Sequence, residues 1–342
     1  MNVLIVKLTS MGDLIHALPA ITDAVNAIPG IQFDWVVDEA FAEIPKLHPA
    51  VNTVIKTAHR RWKRDKWQSI KSGEFIDLWK KIRAKKYDVV IDAQNNLKSA
   101  IIMSFTQGLR CGMDRHSARE KFAHLVCNKT FTIPLEQHAI ARQRQLFAKA
   151  LGYALPDSFP DFGINQQQLP ALPITLPAPY LVFIHSTTWD TKHWPERYWQ
   201  QLIQLAAQAG YHVVLPWGNA NEQARANRLA EASPQTTVLP RLSITQQATM
   251  ISQSTGAICV DTGLGHLTAA LNKPAVHLYG PTDPALIGAT GLHQLHLIAE
   301  YECAPCYLQQ CKFGVESACF VKNMRPEKVW GQFVEQLAVS ST

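Results

Sequence analysis

Short apolar runs alternate with amphipathic stretches along the whole chain, and a proline-rich segment interrupts this alternation midway. Runs such as residues 3–8, 87–94 and 180–186 predict buried strands, and the stretches between such runs carry apolar residues at helical spacing. Strands that alternate with helices form parallel sheets, because each return connection needs a crossover. The pattern therefore predicts an α/β fold with two Rossmann-like, doubly wound domains.

The proline-rich segment sets the predicted domain boundaries. It contains Pro170, Pro173 and Pro177 and lacks periodicity, which is typical of a linker. We predict an N-terminal domain over 1–160, a linker over 161–178, a C-terminal domain over 179–322 and a C-terminal helix over 323–342. That helix has one apolar face, which must pack on a core. The first domain is one place where it can dock.

Ligands of doubly wound sheets bind beyond the carboxyl ends of the strands, so the residues that follow the first strand are candidates for a site. The sequence there is "TSMGD", in which Ser10 and Gly12 form a bend and Asp13 heads the next helix. Asp13 is either a helix cap that binds free backbone N–H groups or a general base. Local chemistry favours the cap and leaves the base open.

Two segments of the second half place polar residues after predicted strands. In "HSTTWDTKHW", the hydroxyls of Thr187 and Thr188 and the ammonium of Lys192 are suited to phosphate oxygens. In "LPWGNANEQ", Gly218 is followed by Glu222, a candidate partner for ribose hydroxyls. Taken alone, a loop lysine such as Lys192 is usually only solvated. A position on a helix surface explains Glu222 at least as well as a ribose contact does.

A third segment, "VDTGLGHLTAAL", runs from a strand through a glycine-rich bend into a helix. Asp261 ends the strand, and Gly263 and Gly265 flank the bend, so that a helix N-terminus can face an anion. A tight turn explains the glycines equally well, and packing or capping explains His266. Together, these strand ends predict a nucleotide diphosphate site. The chain lacks the D-x-D pair that holds a metal in many sugar-nucleotide enzymes, so Lys192 would balance the phosphate charge without a metal.

Positive charge is concentrated in one part of the first half. Residues 56–86 contain twelve basic and three acidic residues, a net charge of +9, while the whole chain carries +6. Trp62 and Trp67 lie among these cations, a mixture suited to phosphates, lipid headgroups or nucleic acid. A solvated helix face is the simpler explanation unless an anionic partner is required.

Composition excludes several other classes. The chain has no run of about 18 apolar residues and no signal-peptide pattern at its start, so we expect a cytoplasmic protein that does not span a membrane. Seven cysteines are typical of free thiols and not of a disulfide framework. Four of them form a C-x2-C-x4-C-x7-C array, for which structural thiols are favoured over a zinc or iron–sulfur site: Cys303, Cys306, Cys311 and Cys319.

The combined motifs resemble a known family. "KLTSMGDLIHALPA", "DTKHWPERYW", "LPWG", "VDTGLGHLTAAL" and "YGPTDP" are similar to the lipopolysaccharide heptosyltransferases of glycosyltransferase family nine, over about residues 1–290. "SMGDLIH" and "KHWPE" favour the branch that adds the first heptose over the one that adds the second. The resemblance implies a GT-B fold, in which an acceptor domain and a sugar-nucleotide domain face a central cleft.

The resemblance also implies substrates and roles. The donor is ADP-L-glycero-β-D-manno-heptose, the acceptor is the inner Kdo of Kdo-lipid A, and transfer inverts the anomeric configuration without a cofactor. Asp13 matches the family's general base and Lys192 a group that stabilises the leaving diphosphate. Matched donor contacts are Thr187, Thr188, Lys192, Glu222, Leu242, Asp261, Thr262, Gly263, Leu264, Gly265 and His266. Matched acceptor positions are Ser10, Gly12, Arg60, Arg61, Arg64, Arg119, His138 and Arg142.

The alternatives differ in acceptor or in class. Heptosyltransferase II or another family member would use a different core acceptor. A Rossmann oxidoreductase is disfavoured because G-x-G-x-x-G does not follow the first strand. A noncatalytic nucleotide or nucleic-acid binder would bind nucleic acid in a salt-dependent way without turnover. With the heptosyltransferase interpretation we expect an anionic inner-membrane surface as a partner, no nucleic acid, and a peripheral position on the inner face of the inner membrane.

Overall fold

The computed structural model describes residues 1–64, 73–313 and 318–340. The chain divides into two compact units, Met1–Asn165 and Gln166–Thr342. This division falls inside the segment proposed as a linker. Gly163 has a φ of +62° and so little free space that an added Cβ would collide with the His48 ring and with Thr22. Only glycine fits there, and the start of the segment therefore belongs to the first unit.

The first unit contains a six-stranded parallel sheet in the order β3-β2-β1-β4-β5-β6. The order reverses direction at β1 and β4, which defines a doubly wound sheet. Its strands are β1 Asn2–Val6, β2 Gln32–Asp38, β3 Val51–Thr57, β4 Val89–Asp92, β5 Leu109–Met113 and β6 Lys129–Phe131.

The second unit repeats this winding with the order β12-β11-β10-β7-β8-β9, again all parallel. Both sheets confirm the predicted α/β, doubly wound class. The strands are β7 Tyr180–Ile184, β8 His212–Leu215, β9 Thr236–Val238, β10 Gly256–Val260, β11 Ala275–Tyr279 and β12 Gln294–Ile298.

Helices of the first unit follow the predicted alternation with one break. The apolar pattern after β1 predicts one helix with a kink at Pro19, but the structure has two helices there. Pro19 lies in the first turn of the second helix, where its missing N–H group has no intrahelical acceptor to lose. The helices are α1 Met11–Ile15, α2 Leu18–Ala27, α3 His59–Arg64, α4 Glu74–Arg83, α5 Leu97–Ser104 and α6 Ala139–Leu151. Short 3-10 turns cover Glu39–Phe41, Pro45–Leu47 and Ala123–Val126.

One face of the first sheet is covered by α3, α4, α5 and the turn Ala123–Val126. Side chains of these helices, among them Leu78 and Met103, pack with Leu4 and Val90 of the sheet in one hydrophobic cluster. Topology explains this, because right-handed crossovers from β3 to β4 and from β4 to β5 fall on the same face. The crossover from β1 to β2 runs the other way, which places α2 on the opposite face, in contact with α6.

The C-terminal helix packs within the second unit. Val329 and Phe333 on its inner face are fully buried in that unit's core, and the helix contacts Glu196–Gln208. The apolar side of this helix is thus buried in the core of the second unit. The helices are α7 Glu196–Gln208, α8 Ala220–Ala230, α9 Ile244–Gln253, α10 Gly263–Ala270, α11 Pro284–Ile287, α12 Ala318–Asn323 and α13 Pro326–Ser340, with 3-10 turns at Gln166–Gln168 and Asp190–Lys192.

Among the residues that the structure describes, no helix combines the length and the apolar character needed to cross a bilayer.

Candidate active site

Side-chain hydrogen bonds hold the bend that follows β1. Ser10 is the N-cap residue of α1, and Asp13 closes a capping box with it. Asp13 Oδ2 accepts hydrogen bonds from Ser10 N at 2.9 Å and from Ser10 Oγ at 2.8 Å. Gln94 Oε1 accepts from the N–H groups of Leu8 and Thr9. Asp13 therefore does cap the helix, and because both bonds engage one carboxylate oxygen, the cap is compatible with a role as base.

Two buried charges that were not predicted lie beside this bend. Lys7 is 5% exposed, and its Nζ donates to Ala93 O at 2.7 Å. Burial lowers the pKa of Lys7, against the charges of Asp13 and Asp92, which raise it. Lys7 directly follows β1 and Asp92 ends β4, and the pairing of these two strands, which the sequence does not show, brings both residues to the same edge. The candidate base thus has a buried ammonium group close to it.

Asp92 is expected to make stability depend on pH. Its carboxylate accepts hydrogen bonds from Asn95 N and Ser99 Oγ, but burial outweighs these bonds and raises its pKa from 3.8 to about 6. The folded protein therefore binds this proton more tightly than the unfolded chain does. The resulting stabilisation is complete below the unfolded pKa of 3.8 and is lost as the pH rises through about 6.

Urea titrations of the parent and of Asp92→Asn from pH 4 to pH 7 test this expectation. As the pH rises, the free energy of unfolding should shift in favour of the asparagine variant by about 2 kcal/mol, because about two pKa units separate the folded and unfolded carboxyl group and part of the effect falls below pH 4. A difference between the two proteins that stays constant over this range would contradict the assigned pKa.

Three predicted acceptor residues lie on the same edge of the first unit. His138 is the N-cap residue of α6, and its ring contacts His16 with centroids 5.4 Å apart. Arg142 Nη2 donates to a backbone carbonyl, Ser117 O, at 2.6 Å, and burial lowers the pKa of this guanidinium. The charges of Arg142 and exposed Arg119 both act on Lys7. The structure thus groups these cations around the bend.

Arg61 already has two carboxylate partners within the first unit. Its Nε donates to Glu39 Oε1 at 3.0 Å and its Nη1 to Glu74 Oε1 at 2.8 Å. These hydrogen bonds raise the pKa of the guanidinium. Because these two ion pairs are exposed, they contribute little to the free energy of unfolding. An anionic ligand would therefore have to compete with Glu39 and Glu74 for this residue, which a count of charges along the sequence does not show.

The other predicted arginines of this segment are only partly described. Arg60 is exposed, and its guanidinium lies over the Phe41 ring, 4.7 Å from the centroid. The side chain of Arg64 and the whole of Trp67 lie outside the described residues. Trp62 is buried, and its Nε1 donates to Glu74 Oε2 at 2.7 Å. One of the two tryptophans is therefore a core residue.

Asp261 organises the corresponding edge of the second unit. Its Oδ2 receives Lys192 Nζ and Thr282 Oγ1, each at 2.6 Å, and His266 Nε2 lies 4.0 Å from its Oδ1. Burial opposes ionisation, but the charge of Lys192 and the weaker effects of His266 and Thr282 outweigh burial and lower the pKa of Asp261. The Lys192 ammonium also lies 4.4 Å from the centre of the Trp189 ring. A buried ion pair therefore fixes the predicted phosphate-binding lysine.

Thr187 and the start of α10 complete this group. Thr187 Oγ1 donates to Asp261 O at 2.9 Å, and Thr262 is the N-cap residue of α10. An added Cβ on Gly265 would lie 3.2 Å from His277 Nδ1, so a larger residue there would press on the buried His277 ring. The structure brings together Thr187, Lys192, Asp261 and His266, with the N-terminus of α10 beside them.

Glu222 and Leu242 lie further along the same edge, because they follow β8 and β9 on the far side of β7. Glu222 accepts hydrogen bonds from Gly218 N and from Asn219 Nδ2, both at 2.7 Å. Leu242 is 7% exposed. Glu222 therefore closes the turn after β8, a role for which a ribose partner is not needed.

The C-terminal cysteine array converges on one cavity, which Pro281 and Leu308 also line. Burial, and then the charges of the other three thiols, raise the pKa of Cys319 to about 11. Within the described parts of the chain, no three His, Cys, Asp or Glu side chains are close enough to share a metal ion. All four cysteines are free thiols in the structure: Cys303, Cys306, Cys311 and Cys319.

Known proteins share both units. The family model described as glycosyltransferase family 9 (heptosyltransferase) matches residues 75–316. Lipopolysaccharide heptosyltransferase 1 of Pseudomonas aeruginosa is 49% identical over 314 residues, which cover 92% of this chain and 88% of that protein. The same-named protein of Escherichia coli strain K12 is 48% identical over 86% of this chain and 92% of its own length.

A solved structure extends the similarity to the fold. The E. coli heptosyltransferase WaaC with ADP matches with a TM-score of 0.86 at 43% identity and covers 98% of this chain and 100% of that one. This match confirms the GT-B class predicted for the chain. With a family model that matches most of its length and relatives at nearly half identity, the chain belongs to glycosyltransferase family 9, the heptosyltransferase family.

Proposed function

We propose that this protein transfers L-glycero-D-manno-heptose from ADP-heptose to the inner Kdo of Kdo-lipid A during synthesis of the lipopolysaccharide core. The observation that carries this proposal is the 49% identity to a lipopolysaccharide heptosyltransferase 1 over 92% of the chain. Two solved structures of E. coli WaaC contain ADP and ADP-2-deoxy-2-fluoro heptose, respectively, which supports the choice of donor.

The second unit would bind the ADP part of the donor. Lys192 would meet the diphosphate with its ammonium, which Asp261 holds in place at 2.6 Å. The hydroxyls of Thr187 and Thr188 and the free N–H groups at the start of α10, at Thr262 to Gly265, would bind the phosphate oxygens. His266 would lie beside the same phosphates. Further along the edge, Glu222 would reach the ribose and Leu242 the adenine.

The first unit would supply the base. Asp13 would take the proton of the Kdo hydroxyl as that oxygen attacks the anomeric carbon on the side opposite ADP, which inverts the configuration. We assign the proton to Oδ1, because both hydrogen bonds from Ser10 engage Oδ2. ADP leaves with the bonding electron pair, and Lys192 stabilises the growing charge. No catalytic metal is required in this scheme.

Basic residues of the first unit would hold the anionic acceptor. Kdo carries a carboxylate and lipid A carries phosphates, and the predicted contacts Arg60, Arg61, Arg64, Arg119 and Arg142 are all cations. Arg61 would exchange its exposed ion pairs with Glu39 and Glu74 for the acceptor, at little cost to the free energy of folding. The protein would work in the cytoplasm, attached peripherally to the inner membrane in which its acceptor lies.

One experiment tests the activity. Purified protein is incubated with ADP-heptose and Kdo2-lipid A, and mass spectrometry should show the addition of one heptose. Acceptors that already carry the first heptose should give no product, whereas a heptosyltransferase II would prefer them. Product on neither acceptor would refute the proposal, and binding of NAD in preference to ADP would point to the oxidoreductase alternative.

A further inference from the structure

The first unit exposes a contiguous group of large apolar side chains. Leu97, Ile101 and Phe105 recur every four residues along α5 and its end, and they are 49%, 61% and 42% exposed. Phe122 and Leu125, in and beside the turn Ala123–Val126, are 70% and 69% exposed. Isolated exposed apolar residues are ordinary, but a group of this size marks an interaction surface.

These two segments are held side by side by contacts of the fold. Helix α5 contacts the turn Ala123–Val126, and Leu97 N donates to Glu120 Oε2 at 2.9 Å. Ile102 and Met103, on the inner side of α5, are buried in the core cluster beneath the helix. Because that side is already packed, α5 cannot rotate to bury Leu97 and its neighbours. The apolar side chains on the outer side of α5 therefore stay exposed.

Helix α4 adds to the same surface. Its Phe75, Ile76 and Trp79 are 47%, 58% and 42% exposed, while Leu78 is buried in the cluster that also receives α5. The outer sides of α4, α5 and the turn therefore face the same way, since they cover one face of the sheet. We name their exposed apolar side chains the apolar surface: Phe75, Ile76, Trp79, Leu97, Ile101, Phe105, Phe122 and Leu125.

Cations surround the apolar surface. Exposed acids on these segments are Asp77 and Glu120, whereas the exposed bases are more numerous. They are Lys80, Lys81, Arg83, Lys98 and Lys121. Apolar and aromatic side chains that enter the boundary between headgroups and acyl chains, with lysines at the level of the phosphates, are the composition of an interfacial membrane-binding surface.

We propose that the apolar surface docks onto an anionic lipid bilayer, with the surrounding lysines paired with lipid phosphates. This inference rests on the proposed function in one respect: a lipid bilayer is chosen as the partner because the proposed acceptor is itself a membrane component. A second copy of the chain is a poorer occupant, because a two-fold contact would bring the same cations face to face. This surface is distinct from the basic residues of α3, which are assigned to the acceptor.

Vesicle co-sedimentation tests the proposal. The full chain should bind vesicles that contain phosphatidylglycerol and not vesicles of phosphatidylcholine alone, and salt should weaken binding. The triple variant Ile101→Ser/Phe122→Ser/Leu125→Ser should bind at least about tenfold more weakly, and so should Lys98→Glu/Lys121→Glu. The control Leu155→Ser/Phe159→Ser, which changes two residues of the first unit that are 46% and 51% exposed outside these segments, should bind as the parent does.

Thermal unfolding and activity on a water-soluble Kdo acceptor separate the outcomes. Because the substituted residues are exposed, every variant should unfold near the parent temperature and keep the parent rate on the soluble acceptor. Parent-like vesicle binding by the triple variant would overturn the proposal, as would a dimer that the triple substitution dissociates. A parent protein that binds vesicles through these residues but transfers no heptose would instead refute the proposed function alone.

Discussion

Replacement of Asp13 with asparagine should lower kcat by about 10²–10⁴-fold, the usual effect of losing a positioned proton acceptor. The amide oxygen can still accept the hydrogen bonds from Ser10 N and Ser10 Oγ, so the helix cap survives. Asp13→Ala should show the same loss of kcat and, in addition, about 1 kcal/mol lower stability because the cap is lost. Initial rates at saturating ADP-heptose and thermal unfolding of both variants distinguish the two roles.

Ser10→Ala serves as the matched control. It removes the 2.8 Å hydrogen bond from Ser10 Oγ but leaves the carboxylate and the bond from Ser10 N. Its kcat should fall by less than about tenfold, since the base itself is intact. If Asp13→Asn keeps the parent kcat, Asp13 is a helix cap only and another group must accept the proton.

Replacement of Lys192 with alanine should lower kcat by about 10²–10³-fold, because the leaving diphosphate loses a preorganised cation. The same change leaves the carboxylate of Asp261, which is 5% exposed, without its ion-pair partner at 2.6 Å. Its pKa should rise, and the protein should lose stability. Activity measurements on the single variant therefore mix a catalytic effect with a structural one.

The double variant Lys192→Ala/Asp261→Asn separates these effects. It removes the unpaired carboxylate of residue 261, so the melting temperature should recover towards that of the parent while kcat stays low. Lys328→Ala, at an exposed position of α13, controls for the loss of a lysine elsewhere in the second unit. Recovery of kcat in the double variant would show that Lys192 acts only by neutralising Asp261.

Strands buried on both faces were the easiest elements to predict. The run 180–186 forms β7, Tyr180–Ile184, and the run 256–263 contains β10, Gly256–Val260. Both lie at the centre of their sheet and read as continuous apolar runs. Strands β3 and β9 at sheet edges were not predicted, because their side chains are partly exposed and lack such a run.

Local motifs found part of the site, and partners distant in sequence completed it. Asp13 and Asp261 were both singled out because each follows a predicted strand. Lys7 and Thr282 were missed, since only the folded sheets bring Lys7 beside Asp92 and Thr282 beside Asp261. The pairing of Arg61 with Glu39 and Glu74 was equally invisible, because those carboxylates lie 22 and 13 residues away.

The sequence by itself determined the α/β class, the two doubly wound halves and the strand ends at which polar residues gather, because hydrophobic periodicity and turn chemistry are local properties. Only the tertiary structure decided which charges neutralise one another, where α13 packs and which apolar side chains stay exposed. Those outcomes depend on groups that crossovers bring together across tens of residues. Lys192 and Asp261, 69 positions apart in the chain, approach to 2.6 Å because β7 and β10 are neighbours.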